Sequence, residues 1–331
     1  MPGKMTSKFR LPAAVAAVAA LTTAIWSGSA AAQAPKQWVI ATGGTGGVYY
    51  PLGGGLANIL GKSIPGVVAT AQVTGGSVDN LRLLGTNKAQ IAFSQVDAAW
   101  DAVQGKDKFA NGKLDIKALA VLYPNHMHVV TIASTGLKTV ASLKGRRVST
   151  GSTGSATEVF ANRVLEAAGL DHARDVRKER LGVAESVNAM KDNKIEAFFW
   201  VGGLPTAAVT DLAATPGTKI QMIDYADLVD KMNAKYGPLY SATTIPQATY
   251  KGMDADNKNI AVWNILAVNG AMDDATAYEI TKVLFEKQPD LALVHAEGRN
   301  FGPKVQSNAN AGIPFHPGAI KYLGEKGIKL Q

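Results

Sequence analysis

The sequence predicts an α/β protein of two similar lobes, each a mostly parallel sheet flanked by helices, with a ligand cleft between them. Three observations carry this prediction. Runs rich in β-branched residues alternate along the chain with helical patterns. The stretch Ile40-Ala41-Thr42-Gly43-Gly44-Thr45-Gly46-Gly47 recurs as Val148-Ser149-Thr150-Gly151-Ser152-Thr153-Gly154-Ser155. Asn87-Lys88 before Ala92-Phe93 recurs as Asn193-Lys194 before Ala197-Phe198, at nearly the same distance from its glycine loop. Similarity at so long a period points to two lobes of common topology rather than a solenoid of short repeats.

The chain opens on a basic stretch (Lys4, Lys8, Arg10), an apolar run from Leu11 to Ile25 and small residues from Ser27 to Ala34. That order is a secretory signal, and Ala30 and Ala32 place the cleavage after Ala32. Zero cysteines exclude a disulfide framework, a thiolate nucleophile and the lipid-modified cysteine of a lipoprotein. The mature protein is therefore expected free in solution, in a bacterial periplasm.

Gln37 to Ala41 is the first strand. It runs into Thr42-Gly-Gly-Thr-Gly-Gly-Val-Tyr-Tyr-Pro-Leu-Gly-Gly-Gly55 and a helix ending near Lys62. Glycines between a strand and a helix leave the backbone N–H groups open to a ligand, and the helix dipole favours negative charge there. Val67 to Val73 is a strand, Ser77 caps a helix from Val78 to Leu84, and Ala89 to Ser94 is a strand with Gln95 and Asp97 just beyond it. Ile116 to Tyr123 and His128 to Ala133 read as two further strands.

The second lobe repeats the scheme: a strand at Arg146 to Ser149, a helix from Ala156 to Ala168 closed by Gly169, a strand at Val176 to Leu181, a helix at Glu185 to Lys191 and a strand at Ile195 to Val201. Pro205 begins the next helix, and Lys219 to Ile223 is a strand followed by a helical Tyr225 to Tyr236. Gly237 to Asn257 reads as a long connection. A strand at Ile260 to Val268 and helices at Asp273–Glu286, Pro289–Ala296 and Gly318–Gly327 complete the chain. The expected divisions are a signal peptide over 1–32, the first lobe over 33–132, the second over 133–242 and a return to the first over 243–331. Ligands of such sheets gather beyond the carboxyl ends of the strands.

The formal charge of +8 over 331 residues falls to +5 once the three leader cations are removed, since no acid precedes Gln33. That charge is dispersed, with no Lys/Arg-rich run, so nucleic-acid binding is not expected. Gly55 to Ser63 places five residues between its glycines where a phosphate-binding P-loop needs four. No Gly-x-Ser-x-Gly elbow positions a nucleophile. His126 and His128 share a strand face without a third metal ligand, and Asp254-Ala255-Asp256 lacks the glycine and glutamate of a calcium loop. Neither a metal nor a cofactor is expected.

Several fragments in order carry a family resemblance. They are Thr42-Gly43-Gly44-x-Gly46-Gly47-x-Tyr49-Tyr50-Pro51, Val73-Thr74-Gly75-Gly76-Ser77-Val78-x-Asn80-Leu81, Ser94-Gln95-x-Asp97, Leu122-Tyr123-Pro124 with His128, and Lys144-Gly145-Arg146-Arg147-Val148-Ser149. Phe198-Phe199 with Gly203-x-Pro205, and Phe315-His316-Pro317-Gly318-Ala319, extend the match over nearly the whole mature chain. Together they resemble the TAXI solute receptors of TRAP transporters. The resemblance implies a type II periplasmic binding fold that closes on a small organic anion, glutamate, 2-oxoglutarate or a related dicarboxylate, and delivers it to the permease subunits of a TRAP transporter. It implies a binding protein rather than an enzyme, acting as a monomer. A ligand-binding input to a signalling system, or an enzyme on the same fold, are the rival readings. Ser152-Thr153-Gly154-Ser155-Ala156 departs from the Pro-Gly-Ser-Gly-like loop usual in that family, which bears on ligand size and identity.

Candidate ligand contacts are Thr45, Gly46, Gly47 and Tyr50 from the first loop, and Ser77, Gln95 and Asp97 from the neighbouring strand ends. The second lobe adds Ser152, Thr153, Gly154 and Ser155, with Trp200 covering the ligand. Hydroxyls and amides can orient a carboxylate in a desolvated cleft without an arginine. Asp97 is the candidate partner for a ligand amino group, while Tyr49 reads as core.

Overall fold

The computed structural model describes residues 34–330, so the expected leader lies outside the described residues. The first half of the fold alternates strand and helix: β1 (Lys36–Ala41), α1 (Tyr49–Ser63), β2 (Val67–Gln72), α2 (Ser77–Gly85), β3 (Ile91–Gln95) and α3 (Val96–Gln104). β1 lies parallel to both β2 and β3. All five residues of β3 are buried, as a strand covered on both faces requires.

Next comes one 17-residue strand, β4 (Ile116–Ile132), where the sequence suggested two. Pro124 invites a break because it cannot donate to a ladder. It is accommodated opposite Trp263, beside a register shift in the pairing with the last long strand. The alternation then repeats through β5 (Arg147–Ser149), α4 (Ala156–Ala167), β6 (Arg177–Glu179), α5 (Val183–Lys191), β7 (Ala197–Gly202) and α6 (Ala207–Ala214). Pro205 stands before α6, not in its first turn. β8 (Ile220–Met222), α7 (Val229–Tyr236), β9 (Tyr240–Ile245) and β10 (Asn257–Asn269) follow. β9 falls inside the segment read as a connection; its six residues pair antiparallel with the first half of β10, a partner that local composition does not show. Helices α8 (Asp274–Glu286), α9 (Gln288–Val294), α10 (Asn308–Ala311) and α11 (Pro317–Glu325) close the chain.

The main path of the sheet runs β2-β1-β3-β10-β4-β7-β5-β6, with β8 on β4 and β9 on β10. From either edge inward, three parallel strands meet a long antiparallel one: β2-β1-β3 meet β10, and β6-β5-β7 meet β4. The sequence repeat is thus a repeat of topology. Its detail persists at Asn87 and Asn193, which hold φ of 55° and 57° after α2 and α5. Asparagine is among the residues that tolerate this left-handed conformation. The following lysines close the same turn, Lys88 N–H to the Leu83 carbonyl and Lys194 N–H to the Ala189 carbonyl, both at 2.8 Å.

β4 and β10 belong to both halves. β10 pairs with β9 through residues 257–262 and with β3 through 264–267, while β4 pairs with β7 through 126–130. Their mutual register shifts between Trp263 and Ile265, opposite Pro124 and Val121. A shift of this kind bends the strands and re-aims nearby side chains.

Candidate functional site

A cavity of about 350 Å³ lies where the two halves of the sheet meet. Tyr49, Ser77, Ala156 and Val183, the first residues of α1, α2, α4 and α5, all line it. Two of these helices come from each half. First-turn N–H groups have no acceptor within their own helix, and each N-terminus carries roughly half a positive charge. The halves touch directly around the cavity. Ser152 Oγ donates to the Gly75 carbonyl at 2.8 Å, Asp79 N–H to the Gly154 carbonyl at 3.0 Å and Leu204 N–H to Glu297 Oε1 at 2.6 Å.

The floor is polar and comes from the strands. Tyr123 and Asn125 project from β4 beside the register shift, and Gln95 ends β3. Behind them Asn264 of β10 donates through Nδ2 to the Tyr123 carbonyl at 3.1 Å. Its Oδ1 accepts from Asn125 Nδ2 at 2.7 Å and from the Tyr49 hydroxyl. Three polar atoms of the floor have no partner among the described residues: Gln95 Oε1, the Tyr123 hydroxyl and Asn125 Oδ1. Their residues are at most 3% exposed, so each orphan costs about 1–3 kcal/mol and calls for an explanation. A ligand that hydrogen-bonds to them supplies one. Burial pushes the Tyr49 and Tyr123 hydroxyls upward, so both stay protonated at neutral pH.

One wall is the Trp200 indole, fixed by a chain of hydrogen bonds. Trp200 Nε1 donates to Thr206 Oγ1 at 2.8 Å, and that hydroxyl donates to the Gly203 carbonyl at 2.9 Å. The Tyr250 hydroxyl accepts from Thr206 N–H and meets His128 Nε2, both at 2.9 Å. His128 Nδ1 faces the carbonyls of His126 and Trp200 and so carries the proton, leaving Nε2 to accept from Tyr250. Burial lowers the His128 pKa to about 3, which keeps the ring neutral in this role. Gly47 lies under the indole, where a Cβ would stand 2.9 Å from Trp200 Cη2.

Of the residues singled out from sequence, Gly47, Ser77, Gln95, Ser152, Ser155 and Trp200 line the cavity. Ser77 is not the helix cap; Gly76 is, and Ser77 Oγ accepts from Gln95 N–H at 3.1 Å instead. The other candidates lie elsewhere. Thr45 and Thr153 are exposed, and Tyr50 is 37% exposed because the next helix position points away from its neighbour Tyr49. Gly46 abuts Val183, Ala184 and Ala208 of the other half. Gly154, at φ +81°, spends its carbonyl on Asp79.

Asp97 is the clearest correction. Its carboxylate is wholly buried, accepts from the Tyr240 hydroxyl at 3.1 Å and lies 3.8 Å from Arg163. Arg163, on α4, also pairs with Asp101 of α3. Burial raises the pKa of both acids against the pull of the arginine, Asp101 to about 6. A carboxylate so committed does not face the cavity.

Tyr49, Tyr123 and Asn125 are among the cavity residues not singled out as contacts from sequence. Tyr123 and Pro124 belong to a fragment already noted, and a proline interrupting a strand was the available signal. Nothing in the sequence marked Asn264. Arg180 and Glu185 are the charged lining residues, and Arg180 Nε is engaged by Glu158 at 2.7 Å. Negative charge in the cavity would be met by the helix starts and by the remaining donors of the Arg180 guanidinium, and opposed by Glu185.

Two halves of one topology, joined by shared strands around a lined cavity, are the two-lobed α/β architecture of periplasmic binding proteins. A structure from Bordetella bronchiseptica RB50 shares this fold, with a TM-score of 0.52 and 20% identity over 87% of this chain and 82% of that one. The periplasmic aliphatic sulphonate binding protein SsuA from Escherichia coli aligns over 88% of this chain and 83% of its own at 16% identity, with a TM-score of 0.47. The chain belongs to the NMT1-like family, whose sequence model matches residues 40–327. Among the described residues, no helix is long and apolar enough to cross a membrane.

Proposed function

We propose that this protein is a solute-binding receptor that captures a small organic anion between its lobes and hands it to a membrane permease. The observation that carries this reading is the convergence of four helix starts, two from each lobe, on one cavity. An anion held there meets dipoles and free N–H groups from both sides, so it is bound best when the lobes are together. The work is binding and release, with no bond made or broken. The cavity's volume falls within the range of small-molecule sites. The sequence resemblance supports a dicarboxylate such as glutamate or 2-oxoglutarate as the ligand and a TRAP-type permease as the partner. The signal-like order of the first residues supports a periplasmic location.

Closure requires a hinge. The sequence reading puts it near His128–Ser134 and near Tyr240–Tyr250, at the C-terminal end of β4 and at β9. Strand pairing supports a position at Tyr123–Asn125 and Asn264, where β4 and β10 pass between the halves and their register slips. A thermal-shift panel of amino acids, dicarboxylates, hydroxy acids and oxo acids should find an acid that raises the melting temperature. Scattering with that acid should then show a smaller radius of gyration than without it. A panel in which no acid stabilises the protein would overturn the reading.

A further inference from the structure

The polar floor sets a requirement on the other end of the ligand. Asn264 has one amide orientation open to it. The Tyr123 backbone carbonyl can only accept, so Asn264 Nδ2 must donate to it, at 3.1 Å. Asn264 Oδ1 is then an acceptor, and its two lone pairs are filled by Asn125 Nδ2 at 2.7 Å and by the Tyr49 hydroxyl. This fixes the next layer. Asn125 turns its NH₂ toward Asn264 and keeps Oδ1 as an acceptor without a protein partner, in a residue 1% exposed. Tyr49 has spent its proton on Asn264 and has none to offer a ligand. Turning the Asn125 amide over would set two carbonyl oxygens against each other.

We infer that the cavity selects acids carrying a hydrogen-bond donor beside the carboxylate, 2-amino or 2-hydroxy acids rather than 2-oxo acids. We infer further that Asn264, which does not line the cavity, imposes this choice by orienting Asn125 and Tyr49. The inference rests on the anion reading and adds to it. Helix starts hold the carboxylate, and an ammonium or hydroxyl proton meets the acceptors of the floor. The Gln95 amide, its Oε1 unpartnered, can turn either its oxygen or its NH₂ to the ligand, so the choice rests on Asn125 Oδ1. A 2-oxo acid can accept from the Tyr123 hydroxyl, but it brings no proton for Asn125 Oδ1, which stays unpaired. Sites built to hydrogen-bond a substrate group reject the analogue lacking it. Asn264 is a positioning residue in this account.

The test is calorimetric titration with triads that share their carboxylates: alanine, lactate and pyruvate; glutamate, 2-hydroxyglutarate and 2-oxoglutarate. The amino or hydroxy acid should bind at least tenfold more tightly than the oxo acid of its triad. An oxo acid that binds as well as its partners overturns the inference and leaves the anion reading standing. Failure of every acid to bind removes the anion reading, and this inference with it. Asn264→Leu frees the Asn125 amide to rotate, so the ratio between oxo and amino acid should fall about tenfold while a carboxylate is still bound. Asn125→Ser keeps a small polar group and should erode the same ratio. A purely structural role for Asn264 would weaken both acids equally, and that result also refutes the proposal.

Discussion

Acidification should destabilise this protein through two histidines. His126 and His128 are buried on β4, and desolvation lowers their pKa values to about 4 and about 3 from an ordinary value near 6.5. The folded values lie below the unfolded ones, so the stability owed to the neutral rings is complete above about pH 6.5. It is lost as pH falls from there towards the folded values, because the unfolded chain takes up protons that the folded chain refuses. At pH 5 this costs about 2 kcal/mol for each ring. Asp101 works in the other direction. Burial lifts it to about 6, so the folded state gains a proton as pH falls, returning about 1 kcal/mol at pH 5. The net loss between pH 8 and pH 5 from these three groups is about 3 kcal/mol. Urea denaturation at both pH values, for the wild type and His128→Gln, measures it. The variant starts less stable, having lost the contact to Tyr250, but its pH-dependent loss should be smaller by about 2 kcal/mol. Equal losses in the two proteins would refute the assignment of His128 as a buried neutral ring.

Gly47→Leu drives a side chain into the Trp200 indole and the cavity, so the melting temperature should fall and affinity for any acid found in the panel should fall more than tenfold in the folded protein; calorimetry beside a melting curve checks this. Arg163→Met leaves Asp97 and Asp101 buried without their cation, at a cost of about 3–5 kcal/mol in urea denaturation. Adding Asp97→Asn should recover part of that loss; a single-variant loss below about 1 kcal/mol would show that the cluster is not the buried ion pair described. Gly154→Asp should lower the melting temperature, since a Cβ at φ +81° meets the Asp79 carboxylate.

Much of this fold was legible because its signals are local. The Asn-Lys turns need a left-handed backbone angle, and they and the doubled glycine loops each reappear at the same place in their half of the sheet, although of the loops only the second holds glycines of positive φ, Gly151 and Gly154. What escaped depends on partners distant in sequence. β9 is a strand because β10 lies beside it, and β4 runs through Pro124 because the register slips there. The site divides the same way. Gly47 and Ser155 follow from strand-loop-helix geometry, whereas the choice between Tyr49 and Tyr50 turned on which face of α1 meets the sheet. Asp97 was misplaced because Arg163, 66 positions further along the chain, claims it. Asn264 was invisible, since a lone asparagine in an apolar strand shows its role only beside Tyr49, Tyr123 and Asn125.

The most direct test of the anion site compares one ligand in two charge states. The acid that gives the largest shift in the panel, and its primary amide of nearly the same shape, should be titrated calorimetrically into the same protein. If the four helix starts bind negative charge, the acid binds and the amide is weaker by more than tenfold, the loss of a hydrogen bond to a charged group together with its dipole interaction. An amide that binds as tightly as the acid would contradict the account.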